Sequence, residues 1–319
     1  MPTKEEGPKD RISENIRIAG SLIFILILFI ITAALVKVPM EEDRFFSITM
    51  ATIWFINSFG AMLQGSSFGL VGLLPQKYSA VFMSGQGLAG TFAALAMIFA
   101  IAKVVEGSGK ADSTSNGDVS CASEEESGKK AFLDLQMENT SAQKSSILQV
   151  FKKIWVMAFC VTFVFTITLS VFPAVTVDVK TVYGGKWEKY FIPVSCFLLF
   201  NMMDWFGRTV TTWLQWPGKD SRWFPALVVS RLIFVPLLMM CNVQERSFLP
   251  VLFSNDLVFA ALMLLFSVSS GYFVCLSMTY APQLVDPKDG ETAGALMTFF
   301  LSLGLSLGAG FSFLLRFLV

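Results

Sequence analysis

Residues 190–209 read YFIPVSCFLLFNMMDWFGRT, an apolar run of membrane-spanning character that nevertheless holds an acid and a base. Phe197, Asn201, Asp204 and Arg208 are separated by four, three and four residues, which places all of them on one face of a helix. A charge at the centre of a spanning helix costs about 2.5–3.5 kcal/mol on insertion scales. Such a stripe persists where it faces protein or a water-filled cavity. An intramembrane polar stripe therefore reads first as part of a path for a polar solute.

The surrounding composition agrees with a membrane setting. The 319 residues are 54% hydrophobic and only 15% charged, with 32 Phe, and the mean hydropathy is +0.62. A soluble chain carries about 25% charged residues, so the composition predicts an all-α polytopic membrane protein. Net charge is zero and no basic block occurs, which argues against nucleic acid as a partner. The chain has no His, the commonest acid/base and metal ligand at neutral pH. An enzyme reading is weak for that reason, and neither a metal nor a cofactor is expected. Cys121, Cys160, Cys196, Cys241 and Cys275 form no CxxC pair, and four of them lie in or beside apolar runs. They read as packing thiols rather than disulfides or ligands.

Charge-poor stretches predict about eight transmembrane helices, near 17–38, 45–74, 78–102, 153–177, 190–216, 223–242, 257–281 and 292–316. The first apolar run, Ile18 to Val36, is too long for a signal-peptide core and reads as a retained anchor. Residues 1–103 then form a three-helix bundle and residues 153–319 a five-helix bundle. Residues 104–152, rich in Ser, Glu, Lys and Gly, are expected to be a disordered central loop. In the second span Asn57, Gly60 and Gln64 make another single-face stripe. Gly65 with Gly69, Gly290 with Gly294, and Gly304 with Gly308 have the spacing of close helix crossings.

The charges conflict over topology. Lys4, Lys9, Arg11 and Arg17 place the N-terminus on the cytoplasmic side, and three crossings then put the central loop outside. Yet that loop carries Lys110, Lys129, Lys130, Lys144, Lys152 and Lys153, which belong inside. The later spans obey the rule only if the loop is cytoplasmic. An odd number of spans is thus expected to be absent between Ala102 and Lys153; the competing reading is that a Glu-bearing loop is tolerated outside.

The segments FINSFGAMLQGSSFGLVGLLP (55–75), SGQGLAG (84–90), YFIPVSCFLLFNMMDWFGRT (190–209), WPGKDSRW (216–223) and ETAGALMTFFLSLGLSLGAGFSFLLR (291–316) resemble equilibrative nucleoside transporters, solute carrier family 29. The broad-specificity plasma-membrane members are the most similar. The resemblance implies a major-facilitator-like bundle, usually of eleven spans. The first two spans, with their PWN region, and the sixth are the ones expected to be missing here, as in a truncated or splice-variant form.

The resemblance also implies facilitative transport of nucleosides such as adenosine and uridine, extended to nucleobases, by alternating access in the plasma membrane. It places Gln64 at the base with Gly60 leaving room. Asp204 and Arg208 lie at the ribose hydroxyls, and Phe172, Phe197, Asn201 and Leu305 on the cavity wall. Arg17 and Glu291 correspond to an inner gate. Taken without it, Gln64 fits an interhelical hydrogen bond equally well, and Asp204 with Arg208 fits a structural ion pair. The phenylalanines fit packing or lipid contact, and Arg17 fits interfacial snorkelling. Arg231, deep in the sixth run, reads as a helix-to-helix bond. A non-transporting isoform that modulates a full-length transporter is the rival function.

The sequon Asn139-Thr140-Ser141 tests the cytoplasmic placement of the loop. The chain expressed in cells should show no mobility change on glycosidase treatment. A glycan on Asn139 would put the loop in the lumen and overturn that placement.

Overall fold

The structure is a computed structural model that describes residues 14–38, 40–107, 146–243 and 250–319. Within these residues the apolar runs become eight helical segments. α1 is Glu14–Leu35, α2 Glu42–Val71, α3 Gln76–Gly107 and α4 Ile147–Val171. α5 comprises Lys186–Phe191, a π-helical turn Ile192–Leu198, and Leu199–Val210. α6 comprises Trp223–Ser230, a tight 3-10 turn Arg231–Ile233, and Phe234–Met239. α7 is Asp256–Tyr280 and α8 Gly290–Leu318. Seven are long and apolar enough to cross a bilayer; the sixth, Trp223–Met239, is shorter.

The breaks have sequence causes. Pro193 lacks an N–H at the opening of the π turn, so the α-helical ladder is interrupted there. Pro236 removes a second donor and crowds the carbonyl four residues back, just where α6 tightens. α4 opens at Ile147, earlier than the apolar run alone predicts, because the Ser146 N–H donates to the Gln149 side chain at 3.3 Å. α3 likewise continues to Gly107. The remainder of the expected disordered loop, residues 108–145, lies outside the described residues, together with Cys121 and Asn139.

The best-buried core belongs to α4, α5, α6 and α7, with α8 sealing one side. Cys160, Cys196, Cys241 and Cys275 are buried inside it. α1 and α2, by contrast, expose most of their large apolar side chains. Lipid is as apolar as Leu, so such faces carry no drive to fold inward.

Glycine contacts set which helices touch. A β-carbon built on Gly304 would stand 2.6 Å from the Thr162 carbonyl oxygen of α4, and one on Gly308 2.7 Å from Leu169 Cβ. Gly290 and Gly294 press on the backbone of α2 at Gly72 and Phe68. Gly65 meets nothing within 4 Å, so its pairing with Gly69 makes no two-point crossing.

These contacts also fix direction. α8 starts where α2 ends and runs antiparallel to it. α3 starts at that same end, where Ser79 Oγ donates to the Val71 carbonyl at 3.1 Å, and runs away from it. α4 begins at that end too, since Lys153 pairs with Asp286 at 3.0 Å just before α8. It then runs parallel to α8, with Thr162 Oγ1 donating to the Phe300 carbonyl and Thr166 Oγ1 to that of Gly304. At the opposite end Asp178 pairs with Arg316 at 3.0 Å. The chain therefore leaves α3 at one end of the bundle and enters α4 at the other.

Arg231 holds three helices together. Its guanidinium donates to the Val164 carbonyl and Thr168 Oγ1 of α4 and to the Phe266 carbonyl and Ser269 Oγ of α7, all at 3.1–3.2 Å. It also lies 5.1 Å from the centre of the Phe266 ring. The residue is 1% exposed, so the helix-to-helix expectation matches its surroundings. Arg231→Met should lower the stability of the purified protein by about 2–5 kcal/mol, because two buried carbonyls lose charged donors. A thermal scan in detergent showing an unchanged midpoint would contradict the clamp.

Candidate functional site

The ionised pair in α5 faces protein. Arg208 Nε donates to Asp204 Oδ2 at 2.7 Å, and the two side chains are 13% and 11% exposed. Helical spacing of four places them side by side, and partial burial strengthens their attraction. Their helix is clasped from both sides by glycines. Gly271 of α7 lies against the Asp204 backbone, and Gly207 of α5 against the Val268 carbonyl. A β-carbon on Gly87 of α3 would stand 2.9 Å from Trp205 Cα and 3.0 Å from Arg208 Cδ, while Gly90 abuts the Asn201 side chain. Any side chain at these glycines would force α5 outward and open the pair to lipid.

Polar side chains lock the register of α3 on α5. Trp205 Nε1 donates to Ser84 Oγ at 3.2 Å, and Ser84 shares a 2.8 Å hydroxyl contact with Thr209. Behind the pair, Thr168 and Ser270 are 3.3 Å apart, linking the cavity wall to the Arg231 clamp.

Two cavities meet at this place. One, about 180 Å³, is bordered by Phe172, Phe200, Asn201, Asp204 and Arg208. The other, about 610 Å³, is bordered by Asn57, Gly60 and Gln64 of α2, Leu305 of α8, and residues of α1. Gln86 of α3 borders both. The predicted site residues thus divide into a charged group and an amide group, joined through a residue that the spacing argument did not single out. Gln86 sits inside the SGQGLAG segment, and an amide within an apolar run was the signal available.

Phe197 departs from the expected stripe. It borders neither cavity and instead meets Phe172 edge-on at 5.7 Å, while Phe200 stacks on Phe172 at 4.0 Å. The π turn ends between Phe197 and Asn201 and changes the rotation per residue, so an ordinary helical count misplaces the aromatic. Gly60 has nothing within 4 Å of a built β-carbon, so it leaves open space in the larger cavity. Glu291 opens α8 with its side chain over Gly69, and Arg17 lies in the first turns of α1 with Ser21 bonded to its carbonyl.

Chemically the site combines an acceptor, a fork of donors and free amides. Asp204 Oδ1 and the two terminal nitrogens of Arg208 have no hydrogen bond among the described residues, nor do the amides of Gln64 and Gln86. The arrangement can both donate to and accept from the polar groups of a solute. Among the described residues no group of three His, Cys, Asp or Glu could hold a metal.

The family model described as "Nucleoside transporter" matches residues 50–113 and 107–317. Equilibrative nucleoside transporter 1 of Homo sapiens is 47% identical over 356 aligned positions, covering 97% of this chain and 77% of the relative. Equilibrative nucleoside transporter 2 of Homo sapiens is 45% identical, covering 97% and 80%. Equilibrative nucleoside transporter 3 of Rattus norvegicus is 30% identical, covering 96% and 73%. The 356 aligned positions outnumber the 319 residues of this chain, so that relative holds residues inside the matched region that this chain lacks. The two matched pieces meet at residues 107–113, where α3 ends. With a match over most of its length and a membrane-embedded polar site on the matched helices, this chain belongs to the nucleoside transporter family.

Proposed function

We propose that this chain is a facilitative nucleoside transporter of the plasma membrane that moves nucleosides such as adenosine and uridine, and nucleobases, down their gradients. The observation that carries this reading is the Asp204–Arg208 pair, largely buried and half-used in hydrogen bonding, on a cavity that shares Gln86 with the one bordered by Gln64. A ribose diol supplies adjacent hydroxyls that both donate and accept. One hydroxyl gives a proton to the free Asp204 oxygen and the next accepts from Arg208. The Gln64 amide donates and accepts at the base edge, which suits purines and pyrimidines alike. Gly60 leaves space for the ring, Leu305 borders that cavity, and Phe172 and Asn201 border the sugar end.

Transport on this reading is alternating access. The α1–α3 unit rocks against the α4–α8 unit around a fixed central site. Arg17 and Glu291 serve as the inner gate. Phe197 acts through the Phe172 ring it abuts rather than on the solute. The plasma-membrane assignment rests on the resemblance to the broad-specificity members, and surface biotinylation tests it.

Two outcomes are expected. Asp204→Ala and Arg208→Ala, each made in any full-length version carrying these helices, should reduce radiolabelled uridine uptake to the level of untransfected cells, because each leaves a buried charge unpaired. Uptake unchanged by both would remove the pair from the site. The 319-residue chain reconstituted alone in liposomes should admit uridine without an ion gradient. If liposomes stay closed while co-expression alters uptake by a full-length relative, the chain is a modulator instead.

A further inference from the structure

We infer that Gln86 is a further substrate-binding residue that donates a hydrogen bond to the sugar-side acceptor of the nucleobase, N3 in purines and O2 in pyrimidines; this rests on the site reading above. Gln86 borders both the Asp204–Arg208 cavity and the Gln64 cavity. Its amide has no partner among the described residues and is only partly buried. An amide at membrane depth without a bond is expensive, so a solute or water must meet it.

Its position is set more tightly than that of a surface amide. The next residue, Gly87, lies against Trp205 Cα and Arg208 Cδ, so the α3 backbone is in van der Waals contact with the helix bearing the ion pair. The Trp205–Ser84–Thr209 hydrogen bonds prevent α3 from sliding along it. Gln86 therefore stands at a fixed height between the charged group and the Gln64 group.

A nucleoside has the same order of parts. Ribose hydroxyls lie at one end, the Watson–Crick edge at the other, and between them the edge beside the glycosidic bond. That middle edge presents an acceptor in every base, purine N3 or pyrimidine O2. A donor held there strengthens binding of all nucleosides without choosing among them. Discrimination is left to Gln64, whose amide reverses its donor and acceptor ends as the outer edge requires.

The test measures equilibrium binding of adenosine and 3-deazaadenosine, which has a C–H in place of N3, to the purified chain and to Gln86→Met, a near-isosteric change. Adenosine should bind Gln86→Met about 5- to 20-fold more weakly than the unaltered chain. 3-Deazaadenosine should bind both proteins equally. Gln86→Glu, which cannot donate when ionised, should repeat the adenosine loss and so cover the case in which Gln86→Met fails to fold. Equal losses for the two ligands, or no loss for adenosine, would overturn the role of Gln86 while leaving the site intact. If the unaltered chain binds neither ligand, the site reading itself falls.

Discussion

A bilayer interior offers no hydrogen-bond partners, so every embedded charge must be satisfied by the protein that carries it. This chain meets that demand in two ways on neighbouring helices. Arg231 spends its guanidinium on carbonyls and hydroxyls of α4 and α7 and is almost fully buried. Asp204 and Arg208 neutralise each other through one bond and leave further donor and acceptor positions turned to open space. The first arrangement is complete and structural. The second is incomplete, with hydrogen-bonding capacity left over beside a cavity. The glycines of α3 and α7 follow from this, because only bare backbone lets three helices close around the pair tightly enough to exclude lipid.

Much of this was legible in the sequence because membrane burial imposes crude, strong signals. Span positions follow from runs of apolar residues, and the Asp204–Arg208 contact from a spacing of four. The close approaches at Gly294, Gly304 and Gly308 follow from their small-residue periods. What escaped is local. Pro193 gives the reason for the π turn but not its length, so an even helical count puts Phe197 on the cavity face that Phe200 holds instead. Ser146 with Gln149 is a helix-start signal hidden in a polar stretch, and it moves the opening of α4. Gln86 was invisible as a site residue because its importance comes from two cavities meeting, which depends on the packing of α2, α3 and α5 at once.

Topology was legible in a different way, through a contradiction. Basic residues assign the two halves of the chain to orientations that three spans cannot join. The helices show the same mismatch as geometry, with α3 finishing at one end of the bundle and α4 starting at the other. The family match breaks at residues 107–113, and the human relative has extra residues within the aligned region. Charge, packing and alignment are independent of one another, and they converge on one stretch of chain. The mismatch in direction lies between α3 and α4, where the two matched pieces of the chain meet.

The full sequestration of Arg231 has an electrostatic consequence. No carboxylate pairs with it directly among the described residues; Asp204, already bound to Arg208, is the acid whose field reaches it. Two cations and one anion thus surround the middle of the bundle, leaving an excess of one positive charge in a region of weak screening. The same arginine that rivets α4 to α7 thus sets the balance of charge at the middle of the bundle.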